Sequence, residues 1–360
     1  MDRLENPVRH YAWGSARDIP EFLGVPPDGT PQAELWMGAH PGAPSLVLRD
    51  GTRRPLPELI AADPEAELGP AVATRFGGRL PFLLKVLAAG EPLSLQVHPD
   101  KARAVARFAD PRYAADYTDD NHKPELICAL RDGFEALCGF RPVPATAALL
   151  DELAVPGQLA DTIAGVASAG RRVSGGGGAW AGAGRAYARL AAAYPGDPGV
   201  LVALLLNHAV LAEGAALFVA AGVPHCYLGG FGAEVMASSD NVLRAGLTSK
   251  RVNVPELLEV LDFTPAPPRV LHAEPDGVQD TYPVPVPDFR LGRLRLGAAP
   301  VVLPGGTAQI LLATAGTVRL DAPGGTGLEL RRGQSAWIAA RCAGVTAAGP
   351  GTLLRATAGM

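Results

Sequence analysis

A chain of 360 residues with 32 Lys+Arg against 36 Asp+Glu has a formal charge of −4, without the basic excess that a nucleic-acid backbone requires. The length allows two or three domains with real cores. With 43 Gly and 34 Pro, the chain has many turns and short elements, which predicts a mainly β architecture. Four widely spaced cysteines, Cys128, Cys138, Cys226 and Cys342, form neither a CxxC pair nor a disulfide framework. The opening MDRLENPVRHYAWGS is too polar for a secretory leader. The most apolar stretch, 200–223, is interrupted by Asn207, His208, Glu213 and Gly214 and cannot span a bilayer. A cytoplasmic chain with neither membrane nor nucleic-acid partner is expected.

In chain order, LPFLLKVL (80–87), LSLQVHP (93–99), PELICAL (124–130) and FEALCGF (134–140) are apolar runs of strand length. Asp132–Gly133 predicts a hairpin between the last two. Residues 101–108, Ala/Arg-rich without Gly or Pro, predict one short helix. After Pro144, ATAALLDELA, RAYARLAAAY and PGVLVALLLN carry helical spacing, with SGGGGAWAGAG (174–184) as a flexible loop between the first two. Residues 144–207 therefore read as a helical insert within a β domain formed by 1–143 and 208–263. Beyond the Pro-rich TPAPPRV, residues 264–360 predict a second β domain of sandwich or barrel type. A faint internal repeat relates EGAALFVAAGVPH (213–225) to RGQSAWIAARCAG (332–344), with Gly344 standing where the first copy has His225.

Alternation along LSLQVHP puts Ser94, Gln96 and His98 on one face. Alone, this pattern reads as a half-exposed strand with one satisfied histidine, and it needs partners to be a site. Glu125 opens a strand beside His122 and Lys123, and His225 enters a strand after Gly222 and Pro224. Gln96, His98, Glu125 and His225 together make a mixed N/O set suited to a divalent metal such as zinc, with open positions for water or substrate. EVMASSDNVLRAGLTSK (234–250) sets Glu234, Asp240, Arg244 and Lys250 among small residues, either as a solvated loop or with the two cations meeting an anion. Lys85, inside a very apolar run, either reaches from a core face or snorkels.

These segments collectively resemble the type I phosphomannose isomerases. The resemblance rests on NPVRHYAWGS, AELWMGAHPGAPS, LPFLLKVLAAGEPLSLQVHPDK, NHKPEL, GVPHCYL and EVMASSDNVLRAGLTSK. It implies two cupin-type (jelly-roll) β modules with a helical insert, the C-terminal one degenerate, and one zinc ion per chain on Gln96, His98, Glu125 and His225. It also implies an active site of Trp13, Lys85, Ser94, Lys123, Tyr227, Glu234, Asp240, Arg244 and Lys250. Cys226 departs from a frequent alanine, a small apolar exchange. The implied reaction interconverts mannose 6-phosphate and fructose 6-phosphate through a cis-enediol. In it Arg244 stabilises the enediolate, Glu234, Lys123 and Asp240 are candidate bases, and His122 or a metal-bound water serves ring opening. Trp13, Lys85, Ser94, Tyr227 and Lys250 would contact the substrate, and a monomer or weak oligomer is expected. The competing readings are a non-catalytic cupin that binds sugar phosphates and a metal-dependent oxygenase.

Overall fold

The computed structural model describes residues 1–49, 51–153, 181–325 and 327–360. The fold is mainly β, in two antiparallel sheet systems. In the first, the order runs through strands Arg269–Leu271, Ala216–Val219, Glu125–Ala129, His225–Ala237, Phe82–Ala89, Glu34–Met37 and Val8–Arg9. Strands Leu95–Val97, Phe134–Phe140, Leu206–Leu211 and Leu243–Gly246 close around the start of His225–Ala237. That 13-residue strand is shared: its first part pairs with Phe134–Phe140 and with Gln96, its second with Phe82–Ala89 and Glu125–Ala129.

The expected Asp132–Gly133 hairpin does not form. Its flanking strands pair with different stretches of His225–Ala237 rather than with each other. The turn instead docks on the neighbouring connection, Gly133 N donating to Leu211 O and Asp132 accepting from Glu213 N. The predicted helix is present as Lys101–Phe108, and the Asp100 carboxylate caps it by accepting from Arg103 N at 2.7 Å.

The second sheet system holds the C-terminal strands, but its path ends on the N-terminus. After Gln309–Asp321 and Ser335–Ile338 come Asp2–Glu5, Leu46–Arg49 and Thr52–Pro55, with Asp2 in register with Trp337. The N-terminal segment thus contributes strands to both sheets. Between them lies one core in which Leu84, Val86 and Val235 meet Ile310, Leu312, Trp337 and Leu354.

Helices Val143–Leu153, Ala181–Ala193 and Gly199–Leu204 occupy the insert. Leu149, Tyr187, Leu190 and Leu204 cover Leu95, Leu137, Cys226 and Leu228, the outward-facing residues of the closing strands. Cys226 sits in that apolar layer, where a small side chain fits. Most of the expected loop at 174–184 lies outside the described residues, but 181–184 belong to helix Ala181–Ala193. Among the described residues no helix is long and apolar enough to cross a membrane.

Candidate active site

Every residue of Phe82–Ala89 is buried, yet its two faces differ. Phe82, Leu84, Val86 and Ala88 enter the shared core, while alternation sends Leu83, Lys85 and Leu87 to the other side, where they line a cleft of about 680 Å³. Lys85 therefore points inward and does not snorkel. The same cleft is lined by Trp13, Ser94, Gln96, Lys123, Glu125, Tyr227, Glu234, Asp240, Arg244 and Lys250, so the structure brings those candidates together. His98 and His225 lie beneath the surface, both fully buried.

One irregularity makes this convergence possible. His225 and Tyr227 face inward with odd numbering, and strict alternation would turn Glu234 outward. The register with Phe134–Phe140 shifts between Tyr227 and Gly229, and this bulge reverses the parity. At the next position Gly230 has φ 126°, and a Cβ there would lie 2.7 Å from Phe134 Cα. Across the bend Tyr227 OH donates to Glu234 Oε1 at 3.0 Å.

At the floor, His98 Nε2 and His225 Nε2 stand 3.1 Å and 3.3 Å from the two oxygens of Glu125. A backbone carbonyl only accepts, so the contacts of His98 Nδ1 with Asn241 O (2.9 Å) and of His225 Nδ1 with Val223 O (3.0 Å) place a proton on each Nδ1. Burial, reinforced by the nearby Lys123 charge, presses the His98 imidazole down to about 4, so its Nε2 carries a lone pair near neutrality. Both Nε2 atoms are buried without a hydrogen-bond partner. Burial would raise the Glu125 carboxyl, but Lys123, whose Nζ is 2.9 Å away, holds it well below the usual range. Nitrogen lone pairs aimed at a carboxylate repel unless a cation lies between them, so this arrangement fits a metal site. The ligand atoms of these three residues all lie within 4.8 Å of one another. Gln96, in register with His225, can add an amide oxygen from the cleft side.

A second charged network forms the adjoining wall. Lys85 Nζ lies 2.6 Å from Glu234 Oε2 and 3.5 Å from Glu34 Oε1. Burial would lower the Lys85 ammonium, but Glu234, Glu34 and Glu125 around it raise it above the ordinary lysine value. Burial raises the Glu234 carboxyl, and Lys85 offsets only part of that. The Tyr227 phenol, buried and beside two carboxylates, is held well above its ordinary value and remains a donor. Arg244, half-buried, and Lys250, exposed at the rim, make no ion pair among the described residues.

Sequence reading missed Glu34, which also accepts from Trp36 Nε1 at 2.7 Å, although it lies inside the quoted AELWMGAHPGAPS. It missed Asn241, whose side chain accepts from Thr118 N and donates to Asn121 O while its carbonyl holds His98. It also missed Tyr194, by which the insert reaches the cleft. His122 does not line the cleft: its Nε2 pairs with Asp288 of the C-terminal region at 2.9 Å. Its expected part in ring opening is thereby withdrawn.

The family profile described as phosphomannose isomerase type I, catalytic domain, matches residues 1–143. Mannose-6-phosphate isomerase of Escherichia coli is 38% identical over 99% of this chain and 99% of its own. The Homo sapiens counterpart is 32% identical over 92% of each. Among solved structures, a mutant phosphomannose isomerase from Salmonella typhimurium superposes with TM-score 0.92 at 34% identity, covering 100% of both chains. A mannose 6-phosphate isomerase bound with zinc and yttrium superposes at 0.90, with 34% identity and the same coverage.

Proposed function

The chain belongs to the type I phosphomannose isomerase family, and from that premise we propose how its own residues carry out the reaction. It is a zinc-dependent, cupin-fold aldose–ketose isomerase that interconverts mannose 6-phosphate and fructose 6-phosphate. The observation that carries this conclusion is the pair of buried, unpartnered Nε2 atoms facing Glu125 at the floor of a cleft rimmed by two cations that have no acidic partner among the described residues. A sugar-binding protein without catalytic work would not need the buried, raised Glu234 carboxyl beside them.

Gln96, His98, Glu125 and His225 would hold the zinc. When bound, it supplies Lewis acidity toward the carbonyl and hydroxyl oxygens of the open-chain sugar. Glu234 is assigned as the base: its raised pKa brings it toward the working range, whereas Asp240 is lowered first by its hydrogen bond from His40. The Glu234 carboxylate takes the proton from C2. The C–H electrons become the C1–C2 double bond and the C1 carbonyl oxygen gains the negative charge; the O2 hydroxyl proton then passes to O1, the C2–O bond becomes the carbonyl, and the double-bond electrons take the proton from Glu234 at C1. Arg244, without a carboxylate partner among the described residues, stabilises that oxyanion. Lys123 and Lys85 keep Glu125 and Glu234 in place by direct ion pairs. Lys250 at the rim takes the phosphate. Asp240, Ser94 and Tyr227 bind sugar hydroxyls, and Trp13, stacked on Tyr11 at 5.7 Å, forms one wall of the mouth.

We place the catalytic module in residues 1–143 and 208–263, with the insert and the C-terminal module as its supports. The four free cysteines suit a reducing, cytoplasmic setting, and a monomer or weak oligomer is the state expected by size-exclusion chromatography. The test of function follows fructose 6-phosphate formed from mannose 6-phosphate with chelator and after zinc is returned. Turnover lost and then regained is expected; chelator-insensitive turnover would overturn the metal assignment, and no turnover by folded, zinc-loaded protein would overturn the isomerase assignment.

A further inference from the structure

Asp240 is held from two sides by residues outside the cleft lining. Its backbone N–H donates to Asp119 Oδ2 at 2.7 Å, and Asp119 is itself tied to Ser239 Oγ at 2.8 Å. Its carboxylate Oδ2 lies 3.0 Å from His40 Nε2. The tautomer of His40 follows from its other nitrogen: Gly42 N–H donates to Nδ1 at 3.2 Å, so the ring proton sits on Nε2 and is given to Asp240. The imidazole packs edge-on against Trp36, ring centroids 4.8 Å apart. The His40 side chain is 8% exposed and that of Asp240 54%.

A half-exposed aspartate ordinarily samples several rotamers. Here the peptide and one carboxylate oxygen are both fixed. The second oxygen, Oδ1, has no hydrogen bond among the described residues, and Asp240 lines the cleft. We propose that His40 is a positioning residue that orients Asp240, so that its free oxygen accepts a hydrogen bond from a sugar hydroxyl during turnover. The proposal rests on the isomerase function above. It ties the AELWMGAHPGAPS segment, through Trp36 and His40, to a residue of the cleft lining.

The experiment compares His40→Leu, His40→Gln, Asp240→Ala and the double variant H40L/D240A, measuring kcat, KM, zinc content and thermal unfolding. Glutamine keeps an amide N–H about as far from the backbone as imidazole Nε2; leucine offers no donor. The expected result is a fall in kcat/KM of about 10- to 100-fold for His40→Leu, the scale of a lost charge-assisted hydrogen bond with a misplaced contact. Zinc content should stay as in the parent, most activity should return in His40→Gln, and His40→Leu should have no further effect when Asp240 is already alanine. A full additional loss in the double variant, or a glutamine variant as impaired as leucine, would overturn the proposal. If His40→Leu does not fold, His40→Asn replaces it: its amide can still accept from Gly42 but falls short of Asp240, so it should show the same loss, and parental activity would overturn the role. A parent enzyme that does not turn over mannose 6-phosphate would strike the isomerase function itself, and is read from the unmutated control.

Discussion

The interiors of the two β modules differ although their scaffolds correspond. Strand Ala216–Val219 follows Gly214 (φ 79°) and leads to His225, while strand Ser335–Ile338 follows Gly333 (φ 84°) and leads to Gly344. In the first module the inward positions carry Lys85, Glu125 and Glu234 around a cleft; in the second they carry Leu311, Val318, Leu330, Ile338 and Leu353 in a closed apolar core. Buried charge costs stability unless paired, and every carboxylate buried in that cleft has a cation beside it. The catalytic interior is a hydrophobic core only in part, where Leu87, Ile127, Phe134 and Leu217 pack together. Its strands are stabilised from their other face, where Leu84 and Val86 share a core with Ile310, Leu312 and Trp337. One module carries the chemistry, and the other contributes the apolar mass against which it is built.

This contrast can be broken from either side. The largest effect is expected from His225→Ala, which should abolish both zinc retention and turnover; metal analysis beside the isomerase assay checks it. Glu234→Gln should lower kcat by about 10²- to 10⁴-fold with zinc retained. Because burial raises the Glu234 carboxyl, the parent's kcat/KM should fall with decreasing pH through an apparent pKa above the usual carboxylate value, and this acid limb should be missing from any residual activity of the glutamine variant. Arg244→Ala should cost about 10²- to 10³-fold in kcat without loss of metal; equal loss of both would remove its assigned role. In the second module Leu311→Ala should cost about 2–5 kcal/mol in denaturant unfolding, while kcat per folded molecule stays near the parent's.

Much of this was legible in the residues. Strand runs, the helix over 101–108 and the shared face of Gln96 and His98 follow local rules of periodicity and composition. Glu234 shows where such rules stop, because its inward direction depends on the bulge between Tyr227 and Gly229, which alternation does not reveal. Asp132–Gly133 has hairpin chemistry, yet its neighbouring strands are claimed by a third strand, a tertiary competition invisible in the turn itself. His122 sits beside the site in sequence but is drawn away by Asp288, 166 positions on. Glu34, His40 and Asn241 act through partners far along the chain, so their surroundings in sequence gave no sign of what they hold.

Asp2–Glu5 pairs with Ser335–Ile338 and with Leu46–Arg49, placing the first residues of the chain between a strand made soon after them and one made near the end of synthesis. During synthesis, at about 5–20 residues per second, the first strand therefore waits roughly twenty seconds to a minute for one of its two partners to emerge. Its sequence, DRLE, keeps three of four side chains charged through that interval, a composition that discourages pairing with other nascent chains. Closing the second module is thus a late event in the life of the polypeptide. The cleft, built on the other face of the same core, gains its full support only when that last seam is made.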